Sequence, residues 1–411
     1  MEVLPRSRRR TPGRIRQGCQ PDALLRSRRR RDRAMNKRLF PVVALVAAVT
    51  LLIVACGGAP ASAPAPTAAP AKPAAAQPAA GQPTTAPAAK PAGPAVNLKF
   101  SHHDPATGLL HPVFVNWGNE LNKQTNGQVT VKVYDSETLA KGRDVVTAVQ
   151  TGVADIGWVI VSFFTGQFPL TEAFNLPVQG QGKSSLGAQA MWDWFQSSPD
   201  VQKEWSSVKV LGYTCSGPQW IATSKKPVRT VEDVKGLKLR IAGWGGTELL
   251  KSVGASPINM APPEMYDALG KGTLDGIVFD WMGGDGFKMH EVTNYATVFP
   301  IVFQSQVVIM NKQKWESLSP DVQKVFTDLS GPALGKAAGE QAFDKADDLY
   351  STRFKNTPGK EIINISAEEQ AKWRAAAKPV WDAWVKDVSG KGLPADKALA
   401  GVQSSIAKFN K

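Results

Sequence analysis

An α/β protein of two lobes, with mixed sheets and a long helical C-terminal region, is what the sequence predicts, on three observations. Strand and helix patterns alternate from residue 96 to residue 158. The alternation stops in a loop rich in Gly and Pro and restarts at residue 208. The C-terminal third carries its apolar positions at helical spacing. Alternating β and α units argue for sheets covered by helices, and residues 96–411 suffice for two lobes with substantial cores.

In chain order, residues 96–101 read as a short strand, and residues 112–125 as a helix with Val113, Trp117 and Leu121 on one face. Val129, Val131 and Val133 alternate with polar residues, the pattern of a half-buried strand. Val145, Val146 and Val149 mark a helix ended by Gly152, and residues 154–158 form a short apolar strand. After the loop, residues 208–213, 220–223 and 237–241 read as strands and residues 248–253 as a helix. Pro263 opens a helix to Lys271, and residues 276–279 form a strand. A strand over 306–310 returns the chain toward the first lobe. Ser319 caps a helical segment that starts at Pro320, reaches Phe354 and is interrupted at Gly331-Pro332. Ser366 and Glu369 have capping-box spacing ahead of a helix carrying Trp373, Trp381 and Trp384, which read as core or interlobe packing.

The N-terminal part is patterned for export, not folding. Lys37 and Arg38 precede an apolar run over residues 39–55 that ends at Cys56-Gly57-Gly58, the order of a basic region, a hydrophobic region and a small-residue cleavage site. Ile53-Val54-Ala55-Cys56 resembles the lipobox of bacterial lipoproteins, in which the cysteine is lipidated and becomes the mature N-terminus. A single membrane span competes with this reading, but the run is short for one. The arginine-rich residues 1–34 read as an over-extended start before Met35, against a basic nucleic-acid-binding arm. Residues 56–95 are Ala/Pro-rich, have nothing with which to build a core, and read as an extended linker.

Most of the formal charge of +14 belongs to this N-terminal part. From Cys56 onward there are 35 basic against 32 acidic residues, so the folded part gives no electrostatic case for nucleic acid. Cys215 has no intramolecular disulfide partner to expect and reads as a small packed residue, since Cys19 and Cys56 fall in the discarded and lipidated positions.

Family-like motifs run through the folded part. Residues 235–240 (Lys-Gly-Leu-Lys-Leu-Arg), 253–260 (Val-Gly-Ala-Ser-Pro-Ile-Asn-Met) and Glu264-x-Tyr266-x-Ala268-Leu269-x-x-Gly272-x-x-Asp275-Gly276 stand in order at characteristic spacing. With residues 149–157 and Phe168-Pro169-Leu170, they resemble the solute-binding subunits of tripartite ATP-independent periplasmic (TRAP) transporters of the DctP-like family over nearly all of residues 96–411. The resemblance implies the type II periplasmic-binding-protein fold, with two lobes closing on a small organic acid. It also implies delivery to small and large integral permease subunits driven by an ion gradient, with no cofactor. No Gly-x-x-x-x-Gly-Lys-Ser/Thr loop is present, so no nucleotide site is legible.

The same resemblance places Arg240, at a strand end, where family members clamp the substrate carboxylate; its planar fork suits two parallel charge-assisted hydrogen bonds. A surface salt bridge is the competing role. Where some members carry a second ligand-facing arginine upstream, this chain has Gln219-Trp220, which points to a monocarboxylate or an acid with a larger apolar part. Asp280 stands near the position of a family asparagine, either accepting from a ligand or capping the helix that starts at Trp281. Trp158, Phe163, Trp220, Trp244 and Phe279 are candidate cleft aromatics, with Trp281 divided between cleft and packing. His103 can reach the cleft mouth, whereas His102, His111 and His290 read as hydrogen-bonded surface residues, with no metal-binding spacing among the four.

No Gly-x-Ser-x-Gly elbow or comparable nucleophile and base pair is visible, so a catalyst is not expected. The expectation is an extracytoplasmic, lipid-anchored solute-binding protein facing a periplasm or the outer side of the cytoplasmic membrane, with a substrate lipoprotein of another importer or a sensor of a non-carboxylate ligand as the alternative. Residues 96–217 form the first lobe, 218–305 the second and 306–345 a return to the first, with 346–411 packing on the second lobe and the hinge.

Overall fold

The computed structural model describes residues 93–180 and 182–410. The export-like run, Cys56 and nearly all of the linker lie outside the described residues. Eleven strands appear in chain order among them. The first four are β1 (Val96–Ser101), β2 (Val129–Tyr134), β3 (Ile156–Ile160) and β4 (Val208–Cys215). Next come β5 (Gln219–Thr223), β6 (Lys238–Arg240), β7 (Ser256–Ile258), β8 (Gly276–Phe279), β9 (Tyr295–Val302), β10 (Ser305–Asn311) and β11 (Glu361–Ile363). They form two mixed sheets, ordered β2-β1-β3-β10-β4 and β11-β9-β5-β8-β6-β7. The two-lobed α/β expectation is met, and β10 does return the chain to the first sheet, antiparallel to β3 and β4.

Two short segments carry the chain between sheets, residues 216–218 from β4 to β5 and residues 303–304 from β9 to β10, and a longer helical passage over residues 312–360 leads from β10 to β11. The two short segments run side by side, Ser216 N donating to Gln304 O at 3.0 Å and Gln304 N to Ser216 Oγ at 2.9 Å. A hinge built from two short paired crossings lets two lobes rotate while each keeps its own core.

Several elements were not visible as patterns. The helix Ser184–Ser197 falls in the stretch read only as loop. Its buried face is made largely of Ser184, Ser185, Gly187, Ala188 and Ala190, small residues that permit close approach but give weak hydrophobic periodicity. A Cβ on Gly187 would lie 2.9 Å from Cys215 Sγ, so the absent side chain makes room for the buried cysteine. Short β7 and β11 likewise lack enough residues to show a period.

The C-terminal helices depart from the expected packing on the second lobe and hinge. Ala367–Gly390 spans both lobes: Trp373, Ala377 and Val380 join the second-lobe core, and Trp384 and Val388 the first-lobe core. Ala395–Phe409 packs on Ser184–Ser197 of the first lobe, where Gly401 lies close against Trp194. The reason is the length of the first of these helices, which carries the chain from one lobe to the other before it turns back. Ser366 Oγ does accept from Glu369 N at 3.2 Å, but Glu369 turns its own carboxylate to Val231 N at 2.8 Å, tying the cap to the second lobe.

Candidate functional site

A cavity lies between the lobes, beside the paired crossings. Parallel strands deliver residues to it from their C-terminal ends, the place where open α/β sheets bind ligands. His103 and Asp104 follow β1, Trp158 and Ile160 sit on β3, and Ser162 and Phe163 lie in the 3-10 turn Val161–Phe164. From the second sheet come Gln219 at the start of β5, Arg240 at the end of β6, and Phe279 and Asp280 at the end of β8. Gln304 and Gln306 line it from the returning crossing and β10.

Arg240 is the centre of the electrostatics. It is 2% exposed, and its Nε donates to Met260 O at 3.1 Å. No carboxylate among the described residues comes within ion-pair distance, so the surface salt-bridge role does not hold. The guanidinium lies over the Phe279 ring, 5.2 Å from the centroid, and Phe279 in turn packs against Gly283, where a Cβ would sit 2.5 Å from the ring. Burial, and then the charge of Arg143, bring Arg240 down to about 10 against the pull of Asp280; it remains a cation at neutral pH. A buried cation without a counter-ion is costly, and an anion in the cavity offsets that cost.

Burial pushes the carboxyl groups of the cavity up toward neutral pH, where both still carry negative charge. Burial raises Asp280 to about 6 against the opposing effect of the Gly283 N–H, Gln219 and Arg240. Burial and then Asp280 raise Asp104 to about 7. His103 stacks on Trp158, 4.8 Å between centroids and 9° between planes, and burial lowers it to about 3, so its imidazole is neutral. Its Nε2 lies 3.3 Å from Asp104 Oδ1, a contact of a neutral ring and not an ion pair. Trp158 Nε1 donates to Thr214 Oγ1 at 2.9 Å, and Thr214 donates onward to Gln306 Oε1 at 2.8 Å, which fixes the Gln306 amide.

Six of the eight residues singled out from the sequence converge here: His103, Trp158, Phe163, Arg240, Phe279 and Asp280. Asp280 holds both of its candidate positions, lining the cavity while its Oδ1 accepts from Gly283 N at 2.8 Å as a helix cap. Trp220 does not converge. Strand alternation turns Gln219 inward and Trp220 to the opposite face, where it packs on Trp281 at 4.0 Å between centroids. Trp281 is accordingly packing, wedged against Trp220 and Phe354. Trp244 also lies away from the cavity. It opens the helix Trp244–Ser252 after Gly243, whose φ of 87° turns the chain outward, and the ring packs half-buried against the flanking cores.

His102 is a further correction: it is 1% exposed, not a surface residue, and its Nε2 lies 3.0 Å from His111 Nδ1. Asp104, Ser162, Gln304 and Phe343 line the cavity without having been singled out. Asp104 was detectable in principle as a polar residue just past the end of β1. Phe343 closes a π-helical turn, Gly339–Phe343, that no local pattern announces. Among the described residues there is no cluster of His, Cys, Asp and Glu able to hold a metal ion.

The fold and cavity define a two-lobed binding protein whose ligand is enclosed between domains. Residues 100–387 match the profile of the bacterial extracellular solute-binding proteins, family 7, and the chain belongs to that family, the DctP-like receptors of TRAP transporters. It is thus an extracytoplasmic carrier of small organic acids for a membrane permease and not an enzyme.

Among similar proteins, the outer membrane transporter protein TsaT of Comamonas testosteroni is 26% identical over 72% of this chain and 87% of its own. The C4-dicarboxylate-binding periplasmic protein DctP of Rhodobacter capsulatus is 28% identical over 67% and 82%. A TRAP solute-binding protein from Rhodoferax ferrireducens, crystallised with copurified benzoate, is 29% identical with a TM-score of 0.71, covering 77% of this chain and 98% of that one. A marine metagenome TRAP protein specific for aromatic acids, in complex with 3-hydroxybenzoate, is 29% identical with a TM-score of 0.73, covering 78% and 100%.

Proposed function

We propose that this chain binds an aromatic monocarboxylate, with the carboxylate on Arg240 and the ring against Trp158, Phe163 and Phe279. The observation that carries the reading is the pairing of one buried, unneutralised arginine with an aromatic-walled cavity. A dicarboxylate needs a second cationic donor inside the cavity, and Arg240 is the one Lys or Arg among its described lining residues, with Gln219 beside it and Asp280 and Asp104 adding negative potential. The ligands named for the 29%-identical structures support the same class.

Thermal unfolding of the purified protein against benzoate, phenylacetate, succinate, glucuronate and leucine tests this, because a ligand that binds only the native state raises Tm. Aromatic monocarboxylates are expected to give the largest shift, and Arg240→Ala to weaken their binding about 30-fold or more, as for loss of one partner of a buried charge pair. A larger shift with succinate, or aromatic binding indifferent to Arg240→Ala, would refute the assignment.

The anchor belongs to the same proposal. Cys56 at the end of the apolar run is read as the lipidated N-terminus, with residues 57–95 as a spacer that lets the body reach small and large permease subunits. Cys56→Ser is expected to move the protein from the membrane pellet to the soluble fraction and to abolish incorporation of labelled palmitate. Unchanged fractionation would mean another mode of attachment.

A further inference from the structure

Asp104 stands across the cavity from Arg240 with half of its carboxyl group unused. Arg240 ends β6 in the second lobe, and Asp104 follows β1 in the first, so closure brings them to opposite walls. Asp104 is 6% exposed; Oδ1 lies 3.3 Å from His103 Nε2, and Oδ2 is buried with no hydrogen-bond partner. It has company: Gln304 Oε1 and Gln219 Oε1, on two other lining residues, are also buried without a donor. The Gln304 orientation is fixed by its Nε2, which donates to Ala242 O at 3.3 Å, so the bare atom is an acceptor. Backbone bonds hold Asp104 in place, its carbonyl accepting from Ser136 N at 3.0 Å beside His102 N to Tyr134 O at 3.0 Å.

This cavity therefore offers one cationic fork on one wall and bare acceptors elsewhere. A ligand with only a carboxylate matches the fork and leaves the acceptors unpaired, and unpaired buried acceptors oppose binding. We propose that Asp104 is a specificity-determining residue that selects, among aromatic monocarboxylates, those carrying a hydroxyl remote from the carboxylate, whose O–H donates to Asp104 Oδ2. This rests on the aromatic-monocarboxylate reading above. Sites built to bond a ligand hydroxyl discriminate against the analogue lacking it more strongly than apolar pockets discriminate by size.

Isothermal titration at pH 8, where Asp104 is predominantly an acceptor, separates the possibilities. The probes are benzoate with its 2-, 3- and 4-hydroxy derivatives, and hexanoate with 6-hydroxyhexanoate, on the wild-type protein, Asp104→Leu and Asp104→Asn. The best hydroxybenzoate is expected to bind wild type at least tenfold more tightly than benzoate. Asp104→Leu, close in volume and unable to accept, is expected to bring the two within about threefold while binding benzoate at least as well as wild type. Equal wild-type affinities for benzoate and all three derivatives overturn the proposal, as does a preference that survives in Asp104→Leu. Should Asp104→Leu not fold, a preference unchanged in Asp104→Asn, which keeps one acceptor but presents an amide, together with equal affinities in the wild-type hexanoate pair, counts against it. If the hydroxylated aliphatic acid outcompetes every aromatic one, the aromatic reading fails while the donor selection by Asp104 stands.

Discussion

Arg240 and Asp347 show how burial sets what a single residue does here. Arg240 stays charged at neutral pH with its fork unpaired by protein carboxylates, which makes it an anion receptor. Asp347 packs against Gly217 in the crossing segment, 3.1 Å from where a Cβ on that glycine would lie, and its Oδ1 has no partner. Burial first, then Asp280, Asp344 and Asp348, raise it from 3.8 to about 8. The folded form thus holds a proton that the unfolded form has released, so this residue's contribution to stability is complete below pH 4 and is lost as pH rises through about 8. Asp347→Asn is expected to match wild type in Tm near pH 4, to exceed it increasingly as pH rises from 4 to 8, and to hold a constant advantage above that. Parallel Tm curves across that range would show that Asp347 ionises freely in the folded protein.

At the scale of the element, the π-helical turn Gly339–Phe343 connects packing to the site. Gly339 sits on the N-terminus of Ser184–Ser197, where a Cβ would lie 2.3 Å from Ser185 Cα, a backbone atom that cannot swing aside. Four residues later Phe343 reaches the cavity wall. Asp344 then caps the same helix, accepting from Ser184 N at 2.7 Å and Ser185 N at 3.3 Å. Overpacking of this kind typically costs about 1–3 kcal/mol. Gly339→Ala is expected to lower Tm by about 2–4 °C for each kcal/mol lost and to weaken ligand binding by displacing Phe343. Calorimetry and titration on the same preparation check both effects; a variant with unchanged Tm would mean that the turn can relax.

For the whole molecule, function depends on closure, and among the contacts that span the lobes outside the cavity is one between two long polar side chains. Arg143, ahead of the helix Val145–Gln150, donates from Nη2 to Asn259 Oδ1 at 3.1 Å, just beyond β7. Its guanidinium also lies 5.6 Å from the Phe163 centroid. A hydrogen bond of this kind contributes about 0.5–1.5 kcal/mol to the closed form, a factor of roughly 2–10 in apparent affinity. Asn259→Ala removes the clasp without changing charge, so the expected result is a 2–10-fold weaker Kd carried mainly by faster dissociation. Small-angle scattering should show a larger radius of gyration without ligand. An unchanged Kd and radius would place Arg143 and Asn259 outside the closure equilibrium.

The sequence by itself determined the class of fold and the polarity of the site. Valine alternation in β2, the cap at Ser319 and the motif ending in Arg240 are local signals, and local signals survive in one dimension because propensity and periodicity act over a few residues. Trp158 and Phe279 were legible for the same reason, being large residues on short apolar strands. Which way Trp220 faces was decided only by the tertiary structure, since one step of strand register exchanges it with Gln219. So too were the course of Ala367–Gly390 across both lobes, the small-residue packing of Ser184–Ser197, and the meeting of Asp104 with Arg240 from separate sheets. Those outcomes depend on distances between residues far apart in the chain, and only the closed, packed molecule sets them.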